Sequence, residues 1–148
     1  MRKAFDYARR TALAGAFVLA GAAGAQASDL RVANARLSLL PGATPGAGYF
    51  DIVNEGASPI TLTGAESEAF EAVEMHESSE HDGMAHMHGV DSIEIGPGET
   101  FSFAPRGHHL MFMGRLAPLA EGDEVEVTLD IDGEPLPVTF EVVSPVSL

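Results

Sequence analysis

The C-terminal part of the chain carries the feature that most restricts its fold, a strict alternation of apolar and polar residues. One alternating run covers residues 124–131 and a second covers 136–142, with Asp132-Gly133 between them. A period of two gives a β-strand one apolar face, and Asp-Gly suits a tight type I′ turn. The pattern therefore predicts a β-hairpin with one buried face and one solvent-exposed face. Its apolar positions are Val125, Val127, Leu129, Ile131, Leu136, Val138, Phe140 and Val142.

Shorter runs with the same period occur along the rest of the chain, whereas helical periodicity is hard to find after residue 28. Turn residues separate these runs at intervals of roughly 8–12 residues, which predicts an all-β fold, an antiparallel sandwich or barrel. Residues 77–89 are polar and lack a core pattern, so we expect an exposed loop or hairpin tip there. The predicted strands cover residues 30–40, 49–53, 60–63, 70–76, 93–95, 101–103 and 109–113.

The N-terminus has the pattern of a signal peptide, predicted to cover residues 1–27. Four basic residues precede an uncharged, alanine-rich run over 11–24, and Ala25-Gln26-Ala27 supplies a small-x-small cleavage pattern. Arg9-Arg10 keeps a twin-arginine export route open beside the general one. A lipid anchor at the cleavage site would need a cysteine, and the sequence contains none. We expect a periplasmic protein whose mature domain covers residues 28–148.

The predicted mature domain is strongly acidic. Four arginines and no lysine stand against 21 acidic residues, a formal charge of −17 for residues 28–148. Such a surface repels nucleic acid and anionic lipid and concentrates cations. The alternative interpretation is that the charge serves only to keep the protein soluble. We expect no nucleic-acid partner, no membrane insertion of the mature chain, and a monomer.

Histidine and methionine cluster in one third of the mature domain. All six histidines lie within residues 76–109 and five of the six methionines within 75–113. Thioether sulfur is a soft, neutral ligand that suits Cu(I), and the absence of cysteine excludes thiolate sites and disulfides. The set predicts a soft-metal site. Its members are Met75, His76, His81, Met84, His86, Met87, His88, His108, His109, Met111 and Met113.

Strand geometry divides the stretch GHHLMFMG at residues 107–114 between two faces. Leu110 and Phe112 point to one face as core, while His109 and Met111 point to the other, about 6–7 Å apart at Cα. On the preceding ligand-bearing strand, His76 lies on the polar face beside Glu74. His108 points away from His109, and Met113 shares the ligand face as a candidate outer thioether.

Several of these residues have an ordinary structural alternative. Met75 is better interpreted as core, because methionine fills irregular gaps. His81, His86 and His88 are either solvated residues or part of a weaker second cation site. The metal prediction therefore depends on the whole set.

The spacing of His76, Met87, His109 and Met111 reproduces H-x10-M-x21-H-x-M, the signature of the periplasmic PCu(A)C copper chaperones. The segments VEMHES, DGMAHMHGV and IGPGETFSFAPRGHHLMFMG are also similar to that family. This resemblance implies a cupredoxin-like Greek-key antiparallel β-sandwich that binds Cu(I) through those four residues. It further implies delivery of copper to cytochrome c oxidase subunit II, for its CuA centre, alongside a Sco-type thioredoxin-like protein.

The additional ligands could hold a second copper, Cu(II), in the histidine-rich segment. The candidates for this secondary site are His81, Met84, His86 and His88. Three other classes of protein compete with the chaperone. A blue-copper electron carrier would need a cysteine ligand, and a cupin-like enzyme using His86 and His88 would need rigid strands there, so we expect no enzyme. A copper storage protein shares every ligand and stays the alternative.

Overall fold

The computed structural model describes residues 29–40, 42 and 45–148, so the predicted signal peptide lies outside the described residues. Ten strands and one 3-10 turn, Pro145–Ser147, make up the regular structure of this part. None of the described residues forms a helix long and apolar enough to cross a membrane. The strands are β1 Leu30–Ser38, β2 Gly46–Asn54, β3 Ile60–Glu66, β4 Phe70–His81, β5 Met84–Gly89, β6 Ile93–Ile95, β7 Thr100–Phe103, β8 His108–Arg115, β9 Glu124–Ile131 and β10 Glu134–Val143.

The strands form one continuous hydrogen-bonded sheet in the order β5-β4-β8-β2-β1-β10-β9-β3-β6, with β7 paired to β2. A further pairing of β3 with β4 closes the sheet on itself around the core. Several neighbours are distant in sequence, as in a Greek key, and the predicted all-β sandwich is confirmed. One detail differs from a purely antiparallel arrangement, because β1 and β10 run parallel, with Arg36 opposite Glu141.

The C-terminal hairpin matches its sequence pattern. All four apolar residues of β9 are buried, as are Phe140, which lies opposite Val125, and Val142 of β10. Asp132 and Gly133 have φ values of 54° and 80°, the left-handed conformation that a type I′ turn requires at both positions. Leu136 and Val138 are only partly buried and pack against the core from its edge.

The polar segment at residues 77–89 is a hairpin, formed by the outer half of β4 and by β5. Asp82-Gly83 turns it with φ values of 55° and 76°, the same device as at Asp132-Gly133. Every residue of β5 is exposed. The prediction of a hairpin tip was therefore correct. The strands are longer than predicted: β4 continues to His81, and β5 was not predicted. Both segments lack the apolar alternation from which the other strands were predicted.

Candidate metal centre

Three adjacent strands, β5, β4 and β8, carry the histidines and methionines. In the β4–β8 register His76 lies directly opposite His109, and Glu74 lies directly opposite Met111. Residues directly opposite each other project from the same face, with Cβ atoms about 4.5–5.5 Å apart. Met75 and Leu110 form the pair between them, and both are buried on the other face. Met75 is thus core, as predicted, while the outer face gathers the two histidines and Met111.

His109 is buried, with 7% of its surface exposed. Its Nδ1 lies 3.4 Å from the Gly107 carbonyl oxygen, which also accepts a hydrogen bond of 3.0 Å from the Ser78 amide. Because a carbonyl oxygen can only accept, this contact places the imidazole proton on Nδ1. The Nε2 lone pair of His109 is then available for a metal ion.

In His76 the nitrogen without a hydrogen-bond partner is Nδ1, whereas in His109 it is Nε2 that is available. His76 Nε2 lies 2.9 Å from the Glu74 carboxylate, while its Nδ1 is buried and has no hydrogen-bond partner. No other buried side-chain nitrogen or oxygen in the described part of the chain lacks a partner. The rings of His76 and His109 have centroids 5.9 Å apart, a separation that one ion bonded to both at about 2 Å would bridge.

The two methionines differ in their distance from this pair of rings. Met111 is half-buried, two residues from His109 on the same face of β8. Met87 is 53% exposed and lies opposite Ser78, which places it on the His76 face but one strand outward and nearer the hairpin tip. The structure therefore brings together His76, His109 and Met111, with Met87 facing the same side from the neighbouring edge strand.

Burial lowers the pKa of His109 below its ordinary value of 6.5, and the nearby His76 and His108 act in the same direction. The Gly107 hydrogen bond opposes this shift only in part. His109 accordingly keeps its neutral, metal-binding form at a pH where an exposed histidine takes up a proton.

This shift predicts a pH dependence of stability. Below pH 6.5 the unfolded chain protonates this histidine before the folded chain does, so the free energy of unfolding falls as pH decreases toward the folded-state pKa. An NMR titration of the apo protein should give a His109 midpoint below 6.5. The His109→Gln variant should lose that component of the pH dependence, and a midpoint above 6.5 would contradict the assignment.

The other four histidines and Met84 lie on the face of the sheet opposite to His76. Glu77 is directly opposite both His88 and His108, His86 is opposite Ser79, and Met84 is opposite His81. The odd-numbered residues of β4 project away from the His76 face, so all of these partners do as well. The Glu77 carboxylate lies 3.4 Å from His88 Nε2 and 3.7 Å from His108 Nε2.

The four candidates for the secondary site lie along the exposed hairpin of β4 and β5, and the second copper stays a prediction. His81 and His86 have ring centroids 6.3 Å apart, and in the described residues no three histidine or acidic side chains are grouped so as to hold an ion. Strand alternation places these candidates, His81, Met84, His86 and His88, on the face opposite to His76. His108 instead packs edge-on against Phe101, with centroids 5.0 Å apart. Met113, opposite Ala72, shares the His109 face at half-buried depth.

The described residues thus form a small β-sandwich that presents a cluster of histidine and methionine on one face near the sheet edge. Residues 26–142 match the model of the family described as "Putative lipoprotein LpqE-like". The chain is also 34% identical over 121 residues to "Putative lipoprotein Lxx21020" of Leifsonia xyli subsp. xyli, covering 80% of this chain and 72% of that protein. The chain therefore belongs to the LpqE-like family, within the PCu(A)C group.

Solved structures agree with this assignment. Apo-DR1885 from Deinococcus radiodurans is 30% identical, with a TM-score of 0.63, covering 99% of this chain and 96% of that one. The Cu(I) form of DR1885 is 29% identical, with a TM-score of 0.62 over 76% of this chain and 77% of that one. The copper-bound PCuAC domain of PmoF2 shares the fold at a TM-score of 0.66, with 23% identity over 79% of this chain and 94% of that domain. The predicted cupredoxin-like sandwich is confirmed.

Proposed function

We propose that this protein is a copper chaperone that carries one Cu(I) on the outer face of β5, β4 and β8. The observation that carries the proposal is the buried, unpartnered Nδ1 of His76, opposite a second histidine with a free nitrogen. Two neutral imidazoles and thioether sulfurs form a donor set that suits Cu(I) and binds Mg²⁺ or Ca²⁺ poorly. The ligands in this proposal are His76, Met87, His109 and Met111.

The burial of these four side chains suits a carrier. His109 is buried and His76 has a side chain only 16% exposed, whereas Met87 is mostly in solvent on the edge strand. The two histidines would hold the ion while the Met87 thioether is exchanged for a ligand of the recipient. Met87 is thus the ligand most accessible to a partner protein.

We further propose that the protein acts in the periplasm and delivers copper to the CuA centre of cytochrome c oxidase subunit II, together with a Sco-type protein. The H-x10-M-x21-H-x-M spacing and the family membership support a copper-carrying role. The lipoprotein descriptions of the family and of the Leifsonia relative support export. The acidic surface would favour docking on a basic patch of the recipient.

Copper transfer tests the delivery step. The Cu(I)-loaded protein is mixed with an apo CuA domain of subunit II, with and without a reduced Sco-type protein, and copper in each separated protein is measured. We expect copper to move to the CuA domain. Full retention of copper under both conditions would contradict delivery and favour storage. A Met87→Leu variant, with its thioether replaced by a hydrocarbon of similar size, should alter the transfer rate more than a Met84→Leu variant.

A further inference from the structure

The nitrogen that His76 leaves free is determined by one neighbouring carboxylate. Glu74 and His76 are two residues apart on β4, so both side chains project from the outer face. The Glu74 oxygen lies 2.9 Å from His76 Nε2, a charge-assisted distance if that nitrogen carries the proton. An ionised carboxylate has no proton to donate, so the pair is satisfied only when Nε2 carries it.

We infer that Glu74 is a positioning residue, which fixes His76 in its Nε2–H tautomer and thereby makes Nδ1 the copper-binding nitrogen. The inference rests on the proposed copper site. His109 would then bind through the opposite nitrogen, Nε2, because its Nδ1 faces the Gly107 carbonyl. Metal-binding histidines commonly donate their second N–H to a carboxylate or a backbone carbonyl, and each of the two histidines has one such partner here.

The burial of His76 Nδ1 also favours the Nε2–H tautomer. If His76 adopted the other tautomer, an N–H would be buried without an acceptor, and Glu74 would face a nitrogen lone pair. Both changes cost free energy, since an unpaired buried donor loses its hydration and two acceptors repel. Glu74 also lies directly opposite Met111, so its charge is adjacent to a site whose proposed ligands are all neutral.

Two substitutions at Glu74 separate its hydrogen bond from its charge. Glu74→Gln removes the charge but can still accept from Nε2–H through its amide oxygen, whereas Glu74→Ala removes both. Glu80→Gln is the matched control, because Glu80 is exposed, lies on the same strand and face, and is further from the register of His109 and Met111. The tautomer is determined by long-range ¹H–¹⁵N NMR of the apo protein near pH ~8, above the ordinary histidine pKa.

We expect the wild-type apo protein to show His76 protonated at Nε2 and the ¹⁵Nδ1 signal to shift on addition of Cu(I). Glu74→Ala should mix the tautomers and weaken Cu(I) binding by about tenfold, the lower end for loss of such a partner. Glu74→Gln should keep the Nε2–H tautomer and weaken binding less than Glu74→Ala does. Glu80→Gln should match the wild type in both measurements.

The inference is overturned if His76 of the wild type is protonated at Nδ1, or if Glu74→Ala retains both the tautomer and the Cu(I) affinity. These outcomes are distinct from failure of the proposed function, in which the wild type itself would bind no Cu(I). The apo tautomer is measured without copper, so it tests the Glu74 contact in either case.

Discussion

Replacement of Phe112 by alanine should lower the free energy of unfolding by about 3–5 kcal/mol, the cost of removing a buried phenylalanine from a packed core. Phe112 is 1% exposed and stacks edge-on against Phe70 and Phe140, with ring centroids 5.0 and 6.0 Å away. Its ring also fills the space above Gly48, where an added Cβ would lie 2.5 Å from the ring. Because these neighbours belong to three other strands, β4, β10 and β2, the cavity cannot close by a local shift.

Chemical denaturation of the apo protein, followed by circular dichroism, measures this loss. Phe112→Leu is the matched control, since it keeps most of the buried apolar volume and should cost clearly less. Phe101→Ala, at a partly exposed position, should also cost less. A loss below about 1 kcal/mol for Phe112→Ala would mean that the side chain is not packed as the structure describes.

Replacement of His109 by alanine should weaken Cu(I) binding by at least about tenfold, or about 1.4 kcal/mol. Met111→Ala should have an effect of similar size. His109 is the most buried proposed ligand, and its ring faces His76 at a centroid distance of 5.9 Å, so its removal takes away one of the two imidazoles of the site. A Cu(I) competition titration against a chelator of known affinity gives the change.

His108→Ala provides the matched control for this prediction. The two histidines are adjacent in sequence and chemically identical, but His108 lies on the opposite face, between Glu77 and Phe101. Its removal should change Cu(I) affinity by less than about threefold. If the two alanine variants bound copper equally well, the division of ligands between the faces would be wrong.

Local patterns in the sequence were sufficient to predict the all-β fold and the faces of single strands. The alternation in β9 and the Asp132-Gly133 dipeptide each depend on adjacent residues, and both predictions are confirmed. The orientation of β8 also follows from its own residues, with Leu110 and Phe112 buried and His109 on the other face. Asp82-Gly83 carried the same signal for the second hairpin, and it could have predicted β5.

Long-range register was not predictable in this way. The parallel pairing of β1 with β10 joins opposite ends of the domain, and no local pattern specifies it. The pairing of His76 with His109 likewise depends on how β4 aligns with β8. A shift of that register by one residue would place His76 opposite a residue of the other face. The faces of His86 and His88 likewise depend on how β5 aligns with β4, which the sequence alone does not specify.

We propose that His76, Met87, His109 and Met111 together form one Cu(I) site. A Cu(I) competition titration compares the wild type with a variant in which all four residues are replaced by alanine, and circular dichroism checks that both proteins are folded. We predict one tightly held Cu(I) per wild-type chain and none in the folded variant. Equal copper binding by the two proteins would contradict the claim.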